Sequence, residues 1–404
     1  AVPGDATERT AFLDEMRPML LTLMLRILEH SSQLSDGSLL GVARMLVLLT
    51  RDPRTAASMV EQRALPLVLR PLLTRRRFQR ASYQRLVIIV LRHMVESGGS
   101  LLPLLTNELH VWMNQSSRPR PTEVSSLLKA MGHSVIRSPP TFLDAAASQL
   151  ELIEFHSMKS PTNLRPRQGA QVPDEPASAQ AMYDAVVHML MNDLVSVREG
   201  TTNAPEADAD SLISVSDARD TYVFALLQCL VELLSSYMGC KQSFLQYRVH
   251  GTTPVLAYFM NELVPIGFLA QYEAEELRKR MTESNWAISV LVALATDPLP
   301  LPDATSVPDM LVSIRKALLD ALYKALREAT QTDGQLEIKF GRLYALSDTC
   351  HRLLTARPNT DTTAPKRMEV VLHMAKTMLE KNFVAVLTQA LADLDVNMPS
   401  PVSY

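Results

Sequence analysis

Apolar residues return every three or four positions through most of the 404-residue chain. Leu13, Met16, Leu20, Leu23 and Ile27 set the pattern; they fall on one stripe of a helix and predict an amphipathic helix there. The same spacing predicts helices over Leu39 to Thr50, Leu101 to Met113, Thr122 to Met131, Pro140 to Leu152 and Met182 to Leu194. It then continues over Val223 to Tyr237, Thr253 to Leu263, Glu273 to Thr296, Met310 to Thr330, Leu336 to Leu354 and Met368 to Leu394. The run Leu86 to Leu91 has the composition of a buried strand, but apolar spacing carries on to Met94 and Val95 before Gly98-Gly99 stops it, which makes it a buried central helix. Composition agrees, with 13 Gly against 25 Pro, where ordinary usage is about 7% and 5%. Large antiparallel β-folds and doubly wound phosphate-loop folds need more glycine for positive-φ turns than this chain holds.

The punctuation sets the architecture. Asp52 is placed to cap a helix whose first turn takes Pro53. Gly239 looks like a helix stop, and prolines at 298, 300, 302, 308, 358 and 365 mark junctions between helices. No strand pattern alternates with the helices. The expected fold is therefore all-α, an irregular armadillo/HEAT-like α-solenoid of stacked helical hairpins, because one compact bundle could not give so many apolar helices a shared core. Residues 157–178, with Pro161, Pro166, Pro173 and Pro176, read as a Pro-rich linker or loop between an N-terminal helical part, 1–156, and a C-terminal one, 179–404. Within the latter, 200–213 reads as a flexible acidic insertion carrying Glu206, Asp208 and Asp210. The chain opens on Ala1 rather than Met, as expected of a piece of something longer.

Forty Lys and Arg against 43 Asp and Glu leave a net charge of −3, which supplies no overall footprint for nucleic acid or an anionic membrane. The longest uninterrupted apolar stretch, Leu86 to Leu91, is far short of a membrane span. Cys229, Cys240 and Cys350 are too few for a disulfide framework and sit in apolar helical contexts, as buried small hydrophobes do. There is no Gly-rich phosphate loop, no His-Glu-x-x-His and no Cys-x-x-Cys, so no catalytic, cofactor or metal residue is assigned. Cys350 and His351 are adjacent, but helix neighbours point about 100° apart and a thiol needs its base within hydrogen-bond reach.

The sharpest charged feature is Arg70, then Arg75, Arg76, Arg77, Arg80 and Arg85, with Phe78 and Tyr83 interleaved. Such a cluster is either a solvated loop between helices, a partner-binding site for an acidic protein segment, or a single-stranded nucleic-acid site. Ser138-Pro139, Ser160-Pro161 and Ser400-Pro401 are proline-directed phosphorylation motifs, and Ser160, in the Pro-rich stretch, is the candidate regulatory residue.

Several strings together resemble one family. They are RMLVLLTRD at 44–52, LRHMVE at 91–96, LVELLSSY at 230–237 followed by Cys240-Lys241, SNWAISVLVAL at 284–294, FGRLYAL at 340–346, CHRLL at 350–354 and MAKTMLEKNFV at 374–384. They are similar to the N-terminal armadillo-like region of giant HECT-type E3 ubiquitin-protein ligases of the Mule type, fungal members in particular. The resemblance implies a segment of a ring-shaped solenoid that holds substrates near a distant HECT domain. That domain takes ubiquitin from an E2 as a cysteine thioester and passes it to a substrate lysine. Nothing in this sequence matches the HECT catalytic motif, so the three cysteines receive no such role. The implied partners are protein substrates and other domains of the same ligase, in cytoplasm and nucleus, with the E2 reached only through the absent HECT domain. An adaptor or transport-receptor solenoid unrelated to ubiquitin would share the fold.

Overall fold

The computed structural model describes residues 6–74, 80–114, 122–153, 163–200, 215–266, 274–298, 307–331, 336–355 and 372–392. The array begins with α1 (Ala6–Glu29), α2 (Asp36–Leu49), α3 (Pro53–Glu61), α4 (Leu65–Thr74) and α5 (Arg80–Glu96). A small module follows, made of α6 (Leu101–Met113), α7 (Val124–Ala130), α8 (Gly132–Arg137) and α9 (Pro139–Gln149). Then come α10 (Ala177–Glu199), α11 (Val215–Ser236), α12 (Met238–Gln246), α13 (Val255–Tyr258) and α14 (Ala274–Ala295). The last four are α15 (Asp309–Gln331), α16 (Leu336–Thr355), α17 (Leu372–Glu380) and α18 (Phe383–Ala392). Strands among the described residues are short. β1 (Thr122–Glu123), β2 (Leu150–Leu152) and β3 (Asn163–Pro166) make an antiparallel sheet in the order β1-β3-β2, with Leu152 and Thr122 both opposite Leu164. β4 (Arg248–Val249) and β5 (Thr253–Pro254) form a hairpin.

The chain is an all-α solenoid. Helix packs on helix in a running order, α1 on α2, α2 on α5, α5 on α10, α10 on α11, α11 on α14, α14 on α15 and α15 on α18. One continuous core results, from Leu21 in α1 to Ala390 in α18. The second halves of α11 and α14 are buried on almost every side; Leu226, Leu227, Leu230, Leu234, Ile288, Val290, Leu291 and Leu294 have at most 1% of their surface exposed. A helix apolar all round belongs inside, and each such side chain contributes roughly 1.5–3 kcal/mol on burial. That explains why LVELL and ISVLVAL carry so little polar face. The module holds its own smaller core, in which Leu105, Leu109, Trp112, Phe142 and Leu164 meet.

Local chemistry sets the helix ends. Asp52 Oδ2 accepts from the Thr55 amide at 2.9 Å with Pro53 in the first turn of α3, and Ser35 Oγ accepts from the Ser38 amide at 3.1 Å at the start of α2. Gly99 takes φ +91°, which lets the chain turn by 100° from α5 into α6.

Several predicted elements differ. The helices expected over Thr122 to Met131 and Pro140 to Leu152 give their outer residues to β1 and β2, and Asn163–Pro166, inside the expected Pro-rich linker, is the strand β3 that pairs with both. Gly239 does not stop a helix: α11 ends at Ser236, Tyr237 is extended, and Gly239 lies in the first turn of α12 against the ring of Tyr183. The glycine serves a close approach between helices, which local sequence does not reveal. The helix expected over Met368 to Leu394 is split into α17 and α18 by Asn382 at φ +60°, with the Lys381 and Asn382 amides bonded back to Thr377 and Leu379. Asn tolerates that left-handed conformation, and because both helices bury apolar faces the spacing runs through the break. Over Thr253 to Leu263, β5 opens the segment and α13 passes into a π-helical turn, Phe259–Leu263.

Candidate functional site

Arg75, Arg76, Arg77 and Ser160 lie outside the described residues. Arg80 opens α5, and its guanidinium donates to the Leu72 carbonyl at the end of α4, tying the two helices together. Arg85 is exposed on α5. The three cysteines are buried, and burial pushes the Cys229 and Cys350 thiols up to about 12 and raises Cys240 as well. His351 is exposed while Cys350 is 4% exposed, so imidazole and thiol lie on different faces of α16. Among the described residues no group of His, Cys, Asp and Glu is arranged to hold a metal ion, and no single helix is long and apolar enough to cross a membrane.

The polar recess that the sequence did not disclose surrounds Arg198, in the last turn of α10. A cleft of about 570 Å³ opens between the end of α10 and the first halves of α11 and α14. A second, of about 390 Å³, lies between α10, the β4–β5 hairpin and the π-helical turn. Arg198 lines both. Its Nε reaches Glu283 at 2.8 Å, its Nη1 donates to the Tyr258 hydroxyl at 3.3 Å, and its Nη2 donates to the Glu262 carbonyl at 3.2 Å. The guanidinium carbon also stands 5.9 Å from the centre of the Tyr258 ring, within cation–π range. Glu283 is shared with Arg280 at 3.6 Å; burial raises its carboxyl above the usual range although both guanidinium groups pull the other way. Lys279 pairs with Asp220 at 3.8 Å, and Arg219 closes the end of α10 by donating to the Val197 carbonyl at 2.5 Å.

Arg198, Arg219, Lys279 and Arg280 each already have an acidic or carbonyl partner, and among the described residues of the recess no nucleophile stands beside a base. The recess is an open groove lined by paired charges carried on three helices. The charged run 275–280, at the start of α14, places acids before bases, as the helix dipole favours. Its convergence with Arg198 and Arg219 depends on α10, α11 and α14 meeting, which no local signal announces.

A buried polar node joins the module to the main array. Arg137 at the end of α8 donates through Nε to Glu96 at 3.2 Å and through Nη2 to the Tyr237 hydroxyl at 2.7 Å, and Tyr237 donates to Glu96 in turn. Beside it, the Thr50 hydroxyl lies 2.8 Å from His93 Nδ1. Burial first, then the charges of Arg51 and Arg137, hold that imidazole down to about 4. An unfolded histidine titrates near about 6.5, so between there and about 4 the unfolded chain binds a proton that the folded chain refuses. Stability should fall as pH drops through this window, by up to about 3 kcal/mol. Urea denaturation at stepped pH checks it: His93→Gln should lose that part of the slope, and an unchanged slope would exclude His93 as its source.

No family model matches the chain. It is 25% identical over 386 residues, 90% of its length, to the E3 ubiquitin-protein ligase ptr1 of Schizosaccharomyces pombe. It is 23% identical over 96% of its length to the E3 ubiquitin-protein ligase TOM1 of Saccharomyces cerevisiae, and 23% identical over 96% to a TOM1-like E3 ubiquitin-protein ligase of Neurospora crassa. The chain spans only 12–13% of the length of these relatives. Four such matches, each covering 90% or more of the chain, agree with the family resemblance read from the sequence. The chain is a homologue, over nearly its whole length, of one segment of the large fungal E3 ubiquitin-protein ligases.

Proposed function

We propose that this chain is a non-catalytic solenoid scaffold that recruits substrates within a large HECT-type ubiquitin ligase. In this reading it is an N-terminal part of that ligase. Its partners are protein substrates and other domains of the same protein. A distant HECT domain takes ubiquitin from the E2 as a cysteine thioester and transfers it to substrate lysines, in cytoplasm and nucleus. The observation that carries the reading is the match of 90–96% of this chain to only 12–13% of each E3 ligase. Three buried cysteines with raised thiol pKa support a role other than carrying the thioester, since the thiolate is the nucleophile.

Deleting the segment from a full-length ligase should leave ubiquitin loading of the HECT cysteine intact and lower substrate ubiquitination at least about tenfold, as loss of an anchoring site lowers effective concentration. Undiminished substrate modification would sink the reading. For the arginine cluster, the informative variant reverses Arg75, Arg76, Arg77 and Arg85 to Glu and spares Arg80, which holds the end of α4. Pull-downs with the same partners as the parent chain would remove the cluster from recruitment.

A further inference from the structure

Ser138 stands between α8 and α9, followed by Pro139 and Pro140. Its backbone is extended, at φ −154° and ψ 95°, its side chain is half-buried, and both prolines are exposed. The hydroxyl lies 2.8 Å from the Thr141 hydroxyl and caps no backbone amide of α9. Ser138 is the single extended residue between α8 and α9, its carbonyl accepting from the Phe142 amide at 2.9 Å, and the serine-proline pair it opens is the signature that a proline-directed kinase reads. The residue before it is Arg137, whose guanidinium is committed to Glu96 and Tyr237 of the main array. Glu96 has 6% of its side chain exposed, so it depends on that guanidinium for its counter-charge.

We propose that Ser138 is a phosphoacceptor for a proline-directed serine/threonine protein kinase, and that its phosphate loosens the α6–α9 module by drawing Arg137 away from Glu96. In the transfer, Ser138 Oγ bonds to the terminal phosphorus of a nucleoside triphosphate and the bond from that phosphorus to its bridging oxygen breaks. The nucleoside diphosphate leaves with the electron pair, and the hydroxyl proton passes to the kinase base. The product carries close to two negative charges one residue from Arg137 and competes with the Glu96 carboxylate for the same charge-assisted hydrogen bonds. With Arg137 drawn off, Glu96 faces the Tyr237 hydroxyl as an uncompensated buried carboxylate, and the contact between module and array weakens.

The test uses the native 404-residue chain, a proline-directed kinase and ATP, with mass spectrometry to locate the phosphate and hydrogen exchange to read the module. Incorporation at Ser138, absent in Ser138→Ala, with exchange over residues 132–149 faster by about tenfold and the core of α11 and α14 unchanged, is the expected result. Arg137→Met should quicken exchange in the same residues without phosphate, and phosphate should then add nothing; should that variant not fold, Tyr237→Phe removes one partner of Arg137 and should give a smaller change of the same kind. Absence of phosphate at Ser138 in the native chain overturns the site. Phosphate at Ser138 with unaltered exchange overturns the action through Arg137.

Discussion

Gly239→Ala is expected to destabilise the chain by about 3 kcal/mol or more, the upper range for forcing extra atoms into a packed core. A Cβ at position 239 would stand 2.1 Å from Cδ2 and 2.2 Å from Cε2 of Tyr183, where carbon atoms rest at about 3.5–4.0 Å. Tyr183 cannot swing clear, because its ring is fully buried and packs 6.1 Å, centre to centre, from Tyr237. Tyr237 is itself held by Arg137 and Glu96, so displacing one ring disturbs the node that joins the module to the array. Denaturation in urea would read the loss. The double variant Gly239→Ala, Tyr183→Leu should recover part of it, since the two positions share one contact and their effects cannot add. A single variant as stable as the parent would mean that α10 and α12 are not packed this closely.

The second large effect concerns Lys241, a fully buried lysine on α12. Its ammonium donates to the carbonyls of Ala293, Leu294 at 3.1 Å and Thr296 at 2.6 Å, while Arg315 from α15 donates through Nε to Ala295 at 2.9 Å. Two cations from different helices thus satisfy four successive carbonyls where α14 ends, a position that the helix dipole makes favourable for positive charge. Lys241→Ala is expected to cost about 4 kcal/mol, from the space left by the aliphatic stem and from three carbonyls that lose the ammonium donor, less the relief of not burying a charge. Lys241→Met keeps the stem, so about half that loss is expected, and the difference between the two variants measures the packing share.

The charge also leaves a pH signature. Burial brings the Lys241 pKa from 10.5 down to about 7, with Asp297 opposing the shift and Arg315 adding to it. Between those values the unfolded chain binds the proton and the folded chain releases it, so stability should rise with pH from about 7 towards 10.5. Lys241→Met should lack that rise; a variant with the parent's slope would assign the titration elsewhere.

Much of this molecule was readable from its residues. Helix content, the capping of α3 by Asp52 and Pro53, the helical state of Leu86 to Leu91 in α5, where Val87, Val90 and Leu91 are buried while Ile89 is exposed, and the burial of the three cysteines all follow from spacing within a few turns. Those rules act between residues three or four apart, and a stacked-helix fold repeats them along its whole length. They also led astray where the local pattern was ambiguous: Gly239 has the composition of a helix stop, and apolar spacing runs unbroken through Asn382.

The sites were decided by tertiary structure alone. Lys241 finds its carbonyls 52 to 55 residues away, Arg137 meets Tyr237 at a separation of 100, and Arg198 meets Glu283 from another helix. Each is an ordinary charged residue in an amphipathic sequence until stacking removes it from water. Desolvation then makes its partner obligatory, because a charge that costs little in solvent costs several kcal/mol when buried unpaired. By itself the sequence determined that this chain is helices stacked in a row. Which charges the stacking would enclose was set only when distant helices met.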